Sequence, residues 1–338
     1  VAGRHAPDSP VVIRDLAMTY PASGGQPPKV ALKGLSLVVE AGECLALLGE
    51  NGAGKTTTIS ILTGVFPPTG GSATVSGYDV RTHIDLVHLE TGLCPQFNIL
   101  WETLTVSEHL LFYARLKGVP PRDEATHTAR ALLAFGLAPY ASRKAHQLSG
   151  GMQRRLSVAI SLIGDSTVVL LDEPSTGLDP VSRRALWDII DRAKAGKAMV
   201  LTTHSLHEAS LLASRIAIMA SGSLHALGTQ LELNARLDDG YRLYVAFDDN
   251  VADSVADGLV RLFGSIRLGE TFIGSQTWFL PRSLALSDVF AKLVQAAPVL
   301  GITDWGISQV GLHDVFHDVV VSARRAAREE DERVNHIV

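Results

Sequence analysis

The chain has 338 residues, which is enough for one large domain followed by a smaller one. Hydrophobic residues make up 46% of it and charged residues 19%, and the formal net charge at pH 7 is -5. Proteins that capture DNA or RNA electrostatically concentrate positive charge. The composition therefore predicts no nucleic-acid partner.

Two cysteines, Cys44 and Cys94, are too few and too badly placed for a disulfide framework, which indicates a reducing compartment and two packing side chains. No run approaches the ~18 apolar residues of a membrane helix, and the N-terminus lacks the basic and apolar regions of a signal peptide. We expect a chain that does not itself span a membrane. Because it begins at Val1 rather than methionine, we also expect a segment cut from a longer polypeptide.

Apolar runs and helical patterns alternate along the N-terminal part of the chain. Residues 11–20 and 31–40 are predicted strands, and residues 44–48 form the apolar run of a buried strand. Residues 57–62 are predicted to be helical, and residues 73–78 to form a short strand. A buried strand that leads directly into a helix is the setting of a phosphate-binding loop.

The segment between that strand and helix matches the phosphate-binding pattern G-x-x-x-x-G-K-[ST] at every constrained position. It reads Gly49-Glu50-Asn51-Gly52-Ala53-Gly54-Lys55-Thr56. Glycines let the backbone approach phosphates, the lysine reaches the β- and γ-phosphate oxygens, and the hydroxyl suits Mg²⁺. The helix N-terminus would face the same anion. The sequence therefore predicts a nucleoside triphosphate site, and the alternative is a glycine-rich turn that binds nothing.

Two further predicted strands end in polar residues. Residues 168–171 are apolar and are followed by Asp172 and Glu173, and residues 198–203 are followed by His204. We expect Asp172 to reach the Mg²⁺ shell and Glu173 to polarise a water beside the γ-phosphate. The alternative is that the two acids only end a buried strand. The functional interpretation of Asp172 and Glu173 therefore depends on the phosphate loop that precedes them.

A helical insert is predicted between the strand at residues 73–78 and the strand at residues 168–171. Residues 105–138 have a helical pattern that Pro120 and Pro121 interrupt. After it, Leu148-Ser149-Gly150-Gly151-Met152-Gln153 precedes a helical run, so its free amides and hydroxyl suit a second anion-binding helix start. An ordinary N-cap by Ser149 is the alternative.

The pattern changes after Gly228. The predicted order is strand, helix, two strands of a hairpin, helix and strand, at residues 241–247, 251–263, 265–272, 276–280, 284–297 and 302–310. This βαββαβ order is typical of a ferredoxin-like module. A final helix begins at Leu312, and residues 324–333 carry four arginines and four acids, which indicates a solvated end.

Taken in chain order, the motifs resemble the Walker A, Q-loop, signature, Walker B, D-loop and switch-histidine motifs of ABC ATPases. The residues that carry this resemblance are 49–56, Gln96, 148–153, Asp172-Glu173, Gly177-Leu178-Asp179 and His204. The resemblance implies an α/β P-loop NTPase fold of the ABC ATPase type, with a mixed sheet core and a helical subdomain. It also implies the activity of such proteins, which is ATP hydrolysis with Mg²⁺.

A narrower resemblance points to the nucleotide-binding domains of ABC subfamily A transporters, which move lipids or related amphipathic molecules. It rests on residues 92–98, 104–109, 112–118 and 148–157, on Trp305-Gly306-Ile307-Ser308 and on Asp314-Val315-Phe316. Met152 and Gly177 depart from the commonest ABC motifs, and both resemble the usage of this subfamily. The resemblance places an ATP-binding domain at 10–230 with its helical subdomain at about 97–165, a ferredoxin-like α+β regulatory domain at 235–320 and a charged tail at 321–338.

Roles implied by the resemblance fall on residues that match its motifs. ATP would be held by Tyr20, which would stack on adenine, and by Gly49, Glu50, Asn51, Gly52, Ala53, Gly54, Lys55, Thr56 and Thr57. Thr56, Gln96 and Asp172 would serve Mg²⁺. Glu173 would be the general base, and His204 would contact the γ-phosphate.

The implied partners are a second nucleotide-binding domain and the transmembrane domains of a transporter, at the cytosolic face of a membrane. Two domains would pair head-to-tail, so that Ser149, Gly150 and Gly151 of one complete the ATP site of the other. Two alternatives remain. A soluble ABC ATPase acting on nucleic-acid or ribosome complexes usually carries a long coiled coil or basic arms, and neither occurs in this sequence. A catalytically inactive scaffold would lack Glu173 or His204.

Overall fold

The computed structural model describes residues 9–22, 25, 27–235 and 240–335. Two compact units make up the described chain. The larger unit runs to Thr229 and includes the chain from Val319 onward, and the smaller unit is Gln230–Asp318. Residues 236–239 of the predicted second domain and residues 336–338 of the predicted tail lie outside the described part.

Strands dominate the first part of the larger unit. Its elements are β1 (Val11–Tyr20), β2 (Lys29–Val39), β3 (Cys44–Gly49), α1 (Lys55–Leu62), β4 (Gly70–Val75), β5 (Tyr78–Asp79), α2 (Ile84–Glu90) and β6 (Thr91–Cys94). Strands β2, β1, β4 and β5 pair in that order as an antiparallel sheet. Strand β1 alternates buried positions such as Val11 and Ile13 with exposed Arg14, as a half-buried antiparallel strand does.

Helices and strands alternate in the rest of the larger unit. The elements are α3 (Val106–Leu116), α4 (Glu124–Ala134), α5 (Gly150–Leu162), β7 (Val168–Asp172), α6 (Pro180–Ala193), β8 (Ala198–Thr203), α7 (Leu206–Leu212), β9 (Arg215–Ala220) and β10 (Ser223–Gly228). Local sequence fixes several starts. Thr105 and Glu108 form a capping box at α3, and Asp179 caps α6 ahead of Pro180.

A six-stranded sheet with the order β10-β9-β3-β8-β7-β6 forms the centre of the larger unit. All neighbours in it pair in parallel except β9 with β10. Every residue of β3, β7 and β8 is buried, because packed layers cover both faces. Alternate residues of β3 join two separate hydrophobic clusters, with Leu45 and Leu47 in one and Cys44 in the other.

Both cysteines belong to this buried layer and are free thiols. Burial raises the pKa of Cys44 to about 12 and that of Cys94 to about 11. A thiol rather than a thiolate is therefore present at neutral pH, and only the thiolate is nucleophilic. The two side chains act in packing.

The smaller unit has its own core. It contains α8 (Gln230–Ala235), β11 (Tyr241–Phe247), α9 (Ala252–Phe263), β12 (Arg267–Phe272), β13 (Ser275–Leu280), α10 (Leu286–Leu300), β14 (Ile302–Gln309) and the start of α11 (Leu312–Asn335). The strands form an antiparallel sheet with the order β12-β13-β11-β14. Leu243, Val255, Leu259, Trp278 and Leu293 lie in one buried cluster.

Some local expectations are confirmed by the structure and others are wrong. The strand predicted at 73–78 is two strands, because Gly77 turns the chain with a φ of +81°. The predicted interruption of the helical stretch 105–138 at Pro120 and Pro121 is confirmed, because α3 ends before these prolines and α4 begins after them. Strands β6, β9 and β10 and helix α2 were not predicted. The predicted solvated tail begins inside α11, which is continuous to Asn335, and Val320 and Ala323 of this helix are buried.

The tail also makes a specific contact within the larger unit. Arg324 Nη2 lies 2.5 Å from Glu50 Oε2 in the phosphate loop. Both side chains are about half exposed. At least one residue of the predicted tail is therefore an ion-pairing residue. No helix among the described residues is long and apolar enough to cross a membrane.

Candidate active site

Four parallel strands of the central sheet deliver the predicted site residues to one edge. The phosphate loop follows β3, Gln96 follows β6, Asp172 and Glu173 lie at the end of β7, and His204 follows β8. The carboxyl ends of parallel strands lie at the same edge, where open α/β sheets bind ligands. Sheet topology thus gathers residues that are far apart in the sequence.

The phosphate loop depends on glycines at its tightest turns. Gly52 and Gly54 have φ angles of +84° and +101°, which side chains other than glycine rarely adopt. A Cβ atom on Gly54 would lie 2.8 Å from the backbone oxygen of Ala31. The loop then enters α1 at Lys55, so the first amides of that helix are free for an anion.

Lys55 is a buried cation at the centre of the site, with 4% of its surface exposed. Its Nζ donates to the carbonyl oxygens of Gly49 at 2.7 Å and Glu50 at 3.0 Å. It also lies 4.0 Å from Glu173 Oε1. Burial lowers the pKa of Lys55, while the nearby carboxylates of Glu173, Asp172 and Glu50 raise it. An anion bound here would add to the opposing charge and favour the ammonium form.

Two oxygen donors suited to a hard cation lie together beside the loop. Thr56 Oγ1 is 3.3 Å from Asp172 Oδ1. The same carboxylate oxygen accepts a short hydrogen bond from Thr202 Oγ1. Asp172 is only 4% exposed, so its charge needs such partners. Carboxylate and hydroxyl oxygens are ligands that Mg²⁺ prefers, so Thr56 and Asp172 fit this ion.

The Glu173 carboxylate lies close to three other polar side chains of the site. Its Oε2 lies 3.3 Å from Gln96 Nε2, 3.1 Å from Thr176 Oγ1 and 3.5 Å from His204 Nδ1. Its own amide donates to Thr202, at 3.0 Å to Oγ1 and 3.1 Å to the carbonyl oxygen. Glu173 has a φ of +46°, a sparsely populated conformation for a side chain of this size. Such strain persists only where the surrounding contacts hold it.

A polar cavity of about 290 Å³ lies over the loop. Its volume is near the lower end of the roughly 300–1,000 Å³ typical of ligand pockets. The predicted site residues among its walls are Tyr20, Asn51, Gly52, Gly54, Lys55, Thr56, Thr57, Gln96 and Glu173, and Lys29 and Ala31 complete them. Tyr20 is half-buried there, with its hydroxyl 3.3 Å from Thr57 Oγ1 and its ring edge-on to Phe66.

The signature residues do not belong to this cavity in the part of the chain that the structure describes. Ser149 caps α5, and its Oγ accepts from the Met152 amide at 3.3 Å. Within this chain the hydroxyl of Ser149 therefore caps its own helix. Ser149 and Gly150 are exposed, and a Cβ on Gly150 would meet open space. This helix start is accessible from outside.

Sequence reasoning missed two residues of the site. Thr202 holds both Asp172 and the Glu173 amide, and Thr176 holds the Glu173 side chain. A signal for Thr202 was present, because a threonine at the end of an otherwise apolar buried run, Ala198 to Leu201, is a polar group that needs a buried partner. Thr176 had no comparable signal, since a residue in a loop carries no burial pattern.

Comparison with known proteins finds similar sequences among ABC transporters. Residues 32–176 match the family described as ABC transporter. The chain is 42% identical to ABC transporter A family member 7 of Arabidopsis thaliana over 92% of this chain and 34% of that protein. It is 40% identical to ABC transporter A family member 7 of Dictyostelium discoideum over 94% of this chain and 38% of that protein. It thus spans about a third of the length of these relatives.

Solved structures resemble the larger part of the fold. An ATP-binding subunit of an ABC transporter superposes with a TM-score of 0.60 at 28% identity, covering 67% of this chain and 92% of that one. A dimeric ATP-binding cassette in a post-hydrolysis state with ADP and Pi superposes with a TM-score of 0.59 at 23% identity, covering 65% of this chain and 98% of that one. The chain is therefore a P-loop ATPase of the ABC type. Residues 32–176 match the ABC transporter family, and the relatives carry the name of its A family.

Removing the buried ammonium tests how the site holds its anion. Lys55→Met removes the buried charge between the loop and Glu173, so kcat/KM for ATP should fall about 10²- to 10³-fold. Lys194→Met is a matched control, because Lys194 pairs only with Asp191 at the surface among the described residues. ATPase activity of both purified variants gives the answer, and a wild-type rate in soluble Lys55→Met would contradict the role of Lys55.

Proposed function

We propose that this chain hydrolyses ATP with Glu173 as the general base. The observation that carries the proposal is the approach of Lys55, Gln96 and His204 to one carboxylate, all within 4.0 Å. A base for an attacking water must lie near the γ-phosphate, and Glu173 lines the cavity above the phosphate loop. ATP would fill that cavity with its phosphates on the amides of α1 and Tyr20 against adenine.

Each side chain then has a distinct task. Lys55 would bind the β- and γ-phosphate oxygens, and Glu173 would orient a water and accept its proton. His204 is about half exposed, so its imidazole is free to contact the γ-phosphate. Mg²⁺, held by Thr56, Gln96 and Asp172, would neutralise charge on the phosphates.

We further propose that the active form is a head-to-tail dimer. The start of α5 is exposed and does not line its own chain's cavity among the described residues, and a helix terminus of this kind suits an anion. Placed against a second copy or a sister domain, Ser149, Gly150 and Gly151 would meet the γ-phosphate held by that partner. Two of the structural neighbours are described as dimeric cassettes, which supports this arrangement. Hydrolysis would then add charge to the interface and separate the pair.

Glu173→Gln separates binding from hydrolysis. The amide keeps the size of the side chain but lacks the charge that activates water and repels the γ-phosphate. General-base catalysis contributes typically ~10²- to 10⁴-fold, so turnover should fall by that factor while ATP affinity survives. Size-exclusion chromatography should show a dimer with Mg-ATP and a monomer with ADP.

A second substitution provides the control for that experiment. Ser149→Arg added to Glu173→Gln crowds the partner's γ-phosphate, so the dimer should disappear while each chain still binds ATP. Brisk hydrolysis by Glu173→Gln would overturn the general-base role. A dimer that is indifferent to nucleotide and to Ser149→Arg would overturn the composite site.

We also propose that the whole protein uses this ATPase for transport across a membrane, with this chain at the cytosolic face. A cavity of about 620 Å³ beside Gln96 is lined mainly by apolar side chains, among them Val65, Leu89, Ile99 and Leu116. Phe97 and Ile99 are 76% and 68% exposed. Exposed apolar residues around a groove are typical of a docking surface, and the family resemblance makes a cytoplasmic helix of a transmembrane domain its occupant. The proposed substrate is a lipid or a related amphipathic molecule.

Cysteine crosslinking in the full-length transporter tests the docking surface. Within this chain Cys44 and Cys94 are buried and protonated, so a new exposed thiol would react faster than either of them. Ile99→Cys should crosslink to the membrane domain, whereas Leu133→Cys, which is 72% exposed and lies outside this cavity, should not. Equal crosslinking at both positions, or none at Ile99 in an active transporter, would contradict the docking surface. Lipid-stimulated ATPase activity in the same reconstituted protein tests the substrate class.

We propose that the smaller unit is a ferredoxin-like regulatory module that takes no part in chemistry. It has its own core, and its sequence contains no phosphate-binding loop. A chain truncated after Thr229 should still bind ATP, with a changed hydrolysis rate or dimer lifetime. Arg324→Ala in the full chain is the control for loss of the ion pair with Glu50. A soluble, folded truncation that no longer binds nucleotide would contradict the proposal.

A further inference from the structure

Arg154 is a buried cation to which the motifs assign no role. It lies in α5, five residues after Ser149, and is 3% exposed. No carboxylate pairs with it among the described residues. Its charge is balanced instead by uncharged oxygen atoms, which is unusual because an unpaired buried charge is costly.

Each of the five N–H groups of the guanidinium has an acceptor. Nε donates to the carbonyl oxygen of Pro174 at 2.7 Å. Nη1 donates to the carbonyl oxygen of Pro95 at 2.6 Å and to Asn98 Oδ1 at 3.3 Å. Nη2 donates to the carbonyl oxygens of Asp172 and Glu173, both at 3.0 Å. A guanidinium supplies five donors in a fixed plane, so this set of acceptors is fully used.

The acceptors come from two segments that carry the site. Pro95 and Asn98 lie on either side of Gln96, and Asp172 and Pro174 lie on either side of Glu173. Gln96 and Glu173 themselves meet at 3.3 Å. One side chain therefore joins the Q-loop segment to the backbone at the Walker B end.

We infer that Arg154 is a positioning residue for hydrolysis, which fixes the backbone of Gln96 and Glu173 relative to the helix that begins at Ser149. The inference rests on the proposed general-base role of Glu173. Hydrogen bonds to a charged donor are about twice as strong as neutral ones, so this clamp resists small shifts of both loops. Because α5 is continuous from Gly150 to Leu162, a partner's nucleotide engaging Ser149 acts on the same rigid element.

Lysine is the informative replacement. Arg154→Lys keeps the positive charge, but one ammonium on a flexible stem has three donors and cannot match a planar fork of five. The phosphate loop makes none of these contacts, so ATP binding should remain. A misplacement of about 1 Å costs about 10²-fold in rate, and we expect kcat to fall about 10- to 100-fold.

The experiment measures kcat, KM and the Kd for ATP of the purified full chain, together with its thermal unfolding. Arg122→Lys is the matched control, because the Arg122 side chain is 85% exposed and contacts only the neighbouring Asp123 among the described residues. Asn98→Ala is a second variant that removes one acceptor and leaves the four carbonyls. Its kcat should fall by less than that of Arg154→Lys, with Kd again unchanged.

The outcomes separate positioning from general stability. A lower kcat with a Kd within about threefold of wild type in both variants supports the inference. An unchanged kcat in soluble Arg154→Lys overturns it, as does a parallel loss of kcat and ATP affinity, which indicates a merely structural role. If Arg154→Lys does not fold, an unchanged kcat in Asn98→Ala overturns it. Glu173→Gln distinguishes the proposals, because its retained activity would refute the general base whatever Arg154 does.

Discussion

The burial of charge at one edge of a parallel sheet is the constraint on which this site depends. Lys55, Asp172 and Glu173 are each at most 6% exposed. Charges removed from water are stable only when they are paired and hydrogen-bonded. Two loop carbonyls hold Lys55. Thr202 donates to the Asp172 carboxylate, and Gln96 and Thr176 donate to the Glu173 carboxylate. The loop can present its carbonyls inward only because glycines allow its turns, so the glycine pattern and the buried charges require one another.

The pairing register of strands β7 and β8 determines which polar group reaches each buried charge. Strands β7 and β8 pair in parallel with Asp172 opposite Thr202, which brings a hydroxyl to the buried carboxylate. A slip of one residue would move each side chain to the other face of the sheet. The polar contacts therefore select the register, and the surrounding hydrophobic clusters enforce it because alternate residues of these strands fill two separate cores.

Sequence patterns predicted most of the elements that carry the motifs. Strands β7 and β8 are continuous apolar runs, and a run of that kind is recognisable without knowledge of its neighbours. Strand β6 has only four residues and Gly92 among them, so its strand character comes from pairing with β7. The strand order is likewise set by contacts between distant segments. The phosphate loop was predicted from its pattern alone, whereas Thr176 and Arg154 act through partners that no local pattern identifies.

Helix α5 relates the exposed and buried parts of the site. Its first residues, Ser149 and Gly150, face outward with free amides, and Arg154 faces inward with every donor satisfied. Only about one and a half helical turns separate the two, so the helix has little freedom to move one without the other. An anion at its start would favour the helix through the dipole, and the arginine would carry any resulting shift to both catalytic loops. A partner's nucleotide could thereby influence the position of Glu173 without touching it.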